Sequence, residues 1–306
     1  MRSLNKKIKS LFLLISFAAY MPISIAPSFA IADNTAPVIK DSINGGDIGF
    51  NGSISVGGKD YNNFEVNLKE NLGKGGVALF DWGSFDVGKN VAVNWIFNAG
   101  GQKAINRVLN TGKASQIFGA LTSSCGVTGC NYDRKSSVIL INPNGIMFGQ
   151  GSQVNLNSFT ASTRDIKGLT DLKDQLFNDV TVGGNRPNHI ASAALTAKFG
   201  GAQPIIFDKS VIDSKGDGVI SLDGAKFNVE GFQNGEPKTT AMSVALIGDK
   251  INIKNSEIQT YENPNTNGNF GTGYSKSGVK LITADGVQFQ YDENWGNISE
   301  AKKGQK

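Results

Sequence analysis

Between Val138 and Leu156 the chain carries three apolar pairs, Val138/Leu140, Ile146/Phe148 and Val154/Leu156, with no interval long enough for a helix. Each pair repeats at the two-residue spacing of a strand, so its side chains share one face. Asn142-Pro143-Asn144-Gly145 separates the first two pairs. That order suits a type I turn, with Asn at the first corner, Pro presetting φ at the second and Gly at the fourth. Gly149 and Gly151 break the next interval. Strand, corner, strand, corner, strand without a crossover helix predicts a chain that coils on itself.

The same template recurs along the chain. Val77, Leu79, Phe85 and Val87 step by two, six and two, as do Val138, Leu140, Ile146 and Phe148, and Val279, Leu281, Val287 and Phe289. Ile220, Leu222, Phe227 and Val229 step by two, five and two, as do Val244, Leu246, Ile251 and Ile253. Each reads as an inward pair, a corner and a second inward pair. Coils of about 20–25 residues with polar insertions at corners, such as Glu262–Tyr274, are what a solenoid of parallel strands tolerates, because each coil touches only its neighbours. An antiparallel sandwich is the competing architecture, and hairpin signals of the type I′ kind are few. Ala32–Asp60, rich in Gly, Asn and Ser, is expected to form short strands capping the first coil, since an uncapped stack exposes backbone groups and an apolar end. Ser115–Phe118 is read as a single helical turn ended by Gly119. Leu169, Leu172, Leu176 and Phe177, at helical spacing after Thr170, predict one short amphipathic helix on the outside.

The first thirty residues read differently. Arg2, Lys6, Lys7 and Lys9 precede the apolar run Leu11–Ala19, which is too short to span a bilayer, and Ser28-Phe29-Ala30 offers small residues for cleavage. This is the pattern of a secretory signal peptide, cut after Ala30 or, by the Ala30-Ile31-Ala32 triplet, after Ala32. Of 30 basic and 26 acidic residues the leader holds four basic and no acidic ones, so the remainder is formally neutral. The pI near 8.9 therefore belongs largely to the leader, and no clustered basic surface argues for nucleic acid. In an oxidising compartment Cys125 and Cys130, the two cysteines of the chain, are expected to close a small disulfide loop. With His189 the single histidine, no zinc site and no other metal site is expected. Asp213, Asp217 and Asp223 are the candidates for the two carboxylates that glycoside cleavage needs. Each stands beside or near glycine, where a turn residue is the simpler reading. No nucleophile elbow surrounds any serine, and no catalytic residue and no cofactor are assigned.

Four motifs carry a resemblance. Ile141–Gly149 (INPNGIMFG) is preceded by Ile105-Asn106-Arg107-Val108 and Ile117–Leu121, and is followed by Asn157–Thr163 (NSFTAST). In this order they resemble the N-terminal secretion domain of two-partner-secretion exoproteins, the filamentous-haemagglutinin type or haemagglutination activity domain. The clear match covers about Val77–Asp165. The resemblance implies an all-β fold, a right-handed parallel β-helix with an N-terminal cap and short extra-helical strands or a helix. It divides the chain into a leader (1–30), a cap (31–75), a motif-bearing core (76–165), further coils (166–298) and a polar tail (299–306). It implies Sec export, recognition in the periplasm by the POTRA domains of a dedicated outer-membrane β-barrel transporter, and delivery to the cell surface or medium, as in adhesins that bind a glycan or receptor on a host or neighbouring cell. A secreted glycan-binding or glycan-cleaving β-helix is the alternative. The secretion-motif positions implied here are Asn106, Arg107, Val108, Asn142, Pro143, Asn144 and Gly145. One departure is plain: the family's upstream Asn-Pro-Asn-Leu turn is absent, and Phe97-Asn98-Ala99-Gly100 stands nearest to it.

Overall fold

A computed structural model describes residues 31–69, 72–73, 75–108, 112–126, 136–156, 158–169, 172, 187–200, 204–208, 218–228, 231–233, 236–238, 243–259, 278–283 and 286–290. The chain divides into two units at Ala30/Ile31, and everything below concerns the second. Three strands come first: β1 (Val38–Ile43), β2 (Gly45–Val56) and β3 (Lys59–Leu68). The coils then follow one another. β4 (Val77–Ser84) and β5 (Val91–Phe97) belong to the first, and β6 (Lys103–Val108), β7 (Ser115–Ile117) and β8 (Ala120–Cys125) to the second. β9 (Ser137–Ile141), β10 (Ile146–Phe148) and β11 (Gln153–Asn155) form the third. β12 (Phe159–Ser162) opens the fourth, which is interrupted by β13 (Asp165–Ile166), helix α1 (Pro187–Phe199) and β14 (Pro204–Asp208), and resumes at β15 (Val219–Asp223) and β16 (Lys226–Asn228). A small hairpin, β17 (Gly231–Gln233) and β18 (Glu236–Lys238), precedes the fifth coil, β19 (Ser243–Ile247), β20 (Lys250–Lys254) and β21 (Glu257–Gln259). β22 (Gly278–Ile282) starts a sixth, and β23 (Gly286–Gln290) leaves the stack.

The pairing is that of a parallel β-helix with three faces. One sheet runs β1-β4-β6-β9-β12-β19-β22, a second β2-β3-β5-β8-β11-β16-β21, and a third β20-β15-β10-β7. Val87 pairs with Ile117 and begins the third face in the first coil. From β4 onward the strands of these sheets are parallel, with equivalent residues stacked: Val138 on Phe159, Phe159 on Val244, Val244 on Val279. Ile146 stacks likewise on Ile220, and Ile220 on Ile251. Inward residues fill the tube with one continuous apolar core. Trp82 packs edge-on to Phe85, and Phe85 stacks with Trp95, in the early coils; Phe148, Phe159 and Phe227 form a second aromatic group further along.

The N-terminal end is closed by reversing chain direction. β1 runs antiparallel to β4, and β2 antiparallel to β3, which in turn lies parallel to β5. Gly57 and Gly58, at φ +57° and +78°, form the tight turn between β2 and β3. Two positive-φ residues are what a two-residue hairpin twisted like its strands requires.

The inner strands of the first sheet, β4, β6, β9 and β12, are buried on both faces, and several readings of the sequence fail there. On β4 the inward residues are Ala78, Phe80 and Trp82, whereas Val77 and Leu79 point outward into a second core with Ile105, Ile139, Ile141, Leu195, Phe199, Ile205 and Phe207. Outside that sheet lie α1 and the antiparallel strands β13, β14 and β23. A strand covered on both sides reads as a continuous apolar run, and its phase is hidden. Residues 287 and 289 do not complete a coil; β23 pairs antiparallel with β14, Val287 opposite Phe207 and Phe289 opposite Ile205. Ser115–Ile117 is a strand, not a helical turn, because Ile117 stacks beneath Phe148 on the third face. α1 was not anticipated. Pro187 opens it, Gly200 follows it, and Leu195 and Phe199 bury one side, four residues apart. Of the helix expected over 169–177, Leu169 and Leu172 are helical, and the Leu172 amide donates to the Gly168 carbonyl; the remainder, like the insertion at 262–274, lies outside the described residues.

Candidate functional site

The Asn142–Gly145 corner links β9 to β10, and the Gly145 amide donates to the Asn142 carbonyl at 3.0 Å, closing the expected turn. Asn142 is fully buried. Its amide nitrogen donates to the Lys113 carbonyl and to Ser115 Oγ, both at 3.0 Å, and its Oδ1 accepts from the Asn144 amide at 3.0 Å. The side chain therefore ties its own turn to the preceding coil. Pro143 is buried and Asn144 half-buried. Gly145 has φ +113°, and a Cβ there would stand 2.9 Å from the Val219 carbonyl of the following coil. Both facts demand glycine.

Asn106, Arg107 and Val108 end β6 and alternate across it. Asn106 points into the tube and is fully buried. Its Oδ1 accepts from the indoles of Trp82 and Trp95 at 3.1 and 3.2 Å, and its Nδ2 donates to the carbonyls of Ala104 and Ile139 at 3.1 and 3.2 Å. All four of its hydrogen-bonding capacities are used. Val108 belongs to the same core. Arg107 points the other way, under the outer layer, where its Nε lies 3.2 Å from Asp81 and its Nη1 3.5 Å from Asp165. Asp165 is the first residue of β13, so this arginine joins the coil to its cover. Lys103, on the same outer face of β6, donates to the Phe199 carbonyl at 2.9 Å. A cation at a helix C-terminus meets the negative end of its dipole, but burial lowers this ammonium from its ordinary 10.5 to about 8.

The motif positions thus separate into a buried corner, a core lock and a cover clasp; of them, Val108 and Asn142 line one cleft. A cleft of about 540 Å³ is lined by Lys40, Ser84, Asp86, Lys113, Ser115 and Asn142 among others. Phe85 and Val108 form its apolar floor. Asp86 accepts from the Gln116 amide at 2.9 Å. Burial pushes its carboxyl up, while that amide and Lys113 pull it back.

At Phe97–Gly100, where the sequence departs from the family pattern, a corner is built by other means. The Gln102 side chain accepts from the amides of Asn98 and Ala99, and the Asn98 side chain donates to the Leu68 carbonyl. Sequence reading missed Gln102, Lys103 and Asp165. Lys103 opens β6 and Gln102 precedes it, both polar and both buried, and no local pattern in the sequence marks that burial. Cys125 ends β8 and is disulfide-bonded; Cys130 lies outside the described residues, as do Asp213 and Asp217. Asp223 is exposed at the end of β15. Among the described residues no group of three His, Cys, Asp or Glu is placed to hold a metal ion. No helix there is long and apolar enough to cross a membrane.

A family model described as the TPS secretion domain matches residues 47–305. Two heme/hemopexin-binding proteins of Haemophilus influenzae are 35% and 34% identical over 95 and 94 residues. Each alignment takes in 31% of this chain but spans only 9% of the relative. The crystal structure of the HMW1 secretion domain from Haemophilus influenzae aligns over 87% of this chain and 50% of its own, at 20% identity and a TM-score of 0.45.

Proposed function

The chain belongs to the TPS secretion-domain family, the domain of two-partner-secretion exoproteins, and from that premise we propose how it works. It leaves the cytoplasm by the Sec route, its first 30 residues serving as a cleaved leader. It is then bound in the periplasm by the POTRA domains of a cognate outer-membrane β-barrel transporter and delivered to the surface or medium as part of an adhesin-like exoprotein. The observation that carries the reading is the span of the family match, residues 47–305, nearly the whole of the coiled stack. The heme and hemopexin binding named for the relatives is not extended to this chain, since the aligned segment is 9% of each.

Within this reading the motif residues act on export through folding. Asn106 and Asn142 are fully buried and spend their hydrogen bonds on neighbouring coils, so a partner could meet them only after the domain is opened. Arg107 clasps the cover. The reaction is transport without a catalytic step, and a reducing-sugar assay on the purified protein with candidate glycans should stay at background. Coil-by-coil stacking outside the cell supplies direction, because burying apolar surface yields roughly 25 cal/mol per Å² before chain entropy is charged.

Two experiments test it. Deleting the transporter gene should leave the processed protein in the periplasm; normal release from such cells would refute the reading. Replacing fully buried Leu246 by Asp, together with Ile251→Asp, should slow surface delivery if stacking drives it. An unchanged rate would remove folding as the driving force while leaving the transporter assignment standing.

A further inference from the structure

We propose that β23 has two stations in this fold. One is the cover sheet, where it pairs with β14; the other is the open end of the third face, where it lies on β20 and completes the sixth coil. The choice decides whether the stack stops at β20 or offers a finished coil on which more chain can stack. It is a property of the domain alone and does not depend on a transporter.

The sequence of β23 fits the stack. Val279, Leu281, Val287 and Phe289 step by two, six and two, as do Val138, Leu140, Ile146 and Phe148. The first pair keeps to the template, with Val279 stacked on Val244 and Leu281 on Leu246. The same template puts position 287 over Ile251 and position 289 over Ile253, yet β23 runs antiparallel to β14. The connection permits either course. Three residues separate Ile282 from Gly286, against four between Ile141 and Ile146 and two between Ile247 and Lys250. A connection of corner length reaches the third face or the cover according to how it turns.

The observed course leaves the stack unfinished. Among the described residues β20 is the edge strand of the third face. Ile220 and Leu222 on β15 are fully buried, but Ile253, stacked on Leu222, is 42% exposed. Val244 and Leu246 are fully buried as well, but Val279 and Leu281 above them are 40% and 51% exposed. An unpaired strand edge flanked by apolar residues invites another strand. β23 matches this edge in length and charge. It has five residues, as β20 has, and all five pair with β14, so the ladder given up on the cover equals the ladder gained on the stack. It carries no charge and brings no cation against Lys250 or Lys254. When β23 leaves, β14 keeps β13 and its place in the second core. Two packings of similar worth for one segment are the condition for a switch.

The test traps each station by a disulfide in the purified protein. Ile206→Cys with Gln288→Cys reports the cover station, where the two residues stand opposite. Asn252→Cys with Gln288→Cys reports the stack station, where neighbouring strands lie about 4.8 Å apart, within disulfide reach. Ile206 and Asn252 are exposed, so neither change disturbs the core. Ser221→Cys with Gln288→Cys is the control. Ser221 pairs with Asn252 one strand further in, about 9–10 Å from position 288 in the stack station and beyond the roughly 7 Å that a disulfide spans. Under mild oxidation, read by peptide mass spectrometry, both reporter pairs should close, and the Asn252 pair should close roughly tenfold faster than the control or better. Hydrogen exchange of the protein locked through positions 252 and 288 should then show β20 more protected and β14 less protected than in wild type. The proposal is overturned if the Asn252 pair closes no faster than the control, if the Ile206 pair fails to close, or if the lock leaves the exchange of β20 and β14 unchanged. Export plays no part in these measurements, so release without a transporter would defeat the functional reading and leave the two stations to be judged on their own.

Discussion

Replacing Asn106 by Leu is the sharpest perturbation of the early coils. The two side chains have similar volume, so the tube stays filled and the change isolates hydrogen bonding. Four bonds disappear, and the indole N–H groups of Trp82 and Trp95, in side chains at most 1% exposed, lose the oxygen they share. A buried donor left without a partner costs about 1–3 kcal/mol. Counting only the two indoles, the loss is about 2–6 kcal/mol, a large share of the roughly 5–15 kcal/mol typical of a folded domain. The assay is guanidinium unfolding followed by far-UV circular dichroism, on wild type, Asn106→Leu, Trp82→Phe and the double variant. Trp82→Phe removes one of the two stranded donors, so the double variant should be less destabilised than the sum of the singles by about 1 kcal/mol or more. A loss below about 1 kcal/mol for Asn106→Leu, or full additivity in the cycle, would refute the view that Asn106 is a core lock. A fully stable Asn106→Leu protein that is nonetheless not exported would instead make it a contact residue.

The Lys103 ammonium, lowered to about 8 from 10.5, makes the unfolded chain the stronger proton binder between those values. Stability should therefore rise with pH from about 8 to 10.5, by about 3 kcal/mol from this group alone. Lys103→Met should abolish that rise, as measured by denaturant midpoints at pH 7, 9 and 10. Gly145→Ala, with φ +113° and the Val219 carbonyl 2.9 Å from the added carbon, should lower the thermal midpoint more than Gly151→Ala, where φ is +81° and no atom lies within 4 Å. Equal shifts would mean that backbone strain alone matters. Arg107→Met removes the cation that buried Asp81 and Asp165 share and should cost about 3–5 kcal/mol. Hydrogen exchange should show α1 and β14 released before the coils.

Legibility in the sequence followed burial. Where a strand has one face in the tube and one face half-exposed, as at Ile146–Phe148 and Ile220–Leu222, the alternation is plain and the inward residues are read correctly. Where an outer layer covers the second face, Val77-Ala78-Leu79-Phe80 is uniformly buried, and nothing in the pattern says which pair points in. The cover itself was hidden for a related reason. β14 and β23 are separated by several coils in sequence, and their apolar residues look like coil residues until the antiparallel register is known. The Asn142 corner was readable because turn chemistry is local. Asn106 was readable as a motif but not as a partner of two indoles, since Trp82 and Trp95 reach it from another strand and another face.

The position of the buried polar groups bears on how such a domain can be both exportable and stable. Apolar stacking alone would tolerate slippage, because one coil's inward pairs resemble the next. Asn106 and Asn142 satisfy their side-chain amides against named atoms of particular neighbours, two indoles for one and the Lys113 carbonyl and Ser115 hydroxyl for the other, and Arg107 sits as a buried cation between the carboxylates of Asp81 and Asp165. A register slip would leave these groups buried and unsatisfied at several kcal/mol each. They all lie in the N-terminal coils, next to the antiparallel cap. Once that end is locked, every later coil inherits a defined edge on which to stack, and the error-prone step is confined to the segment that carries the family's motifs.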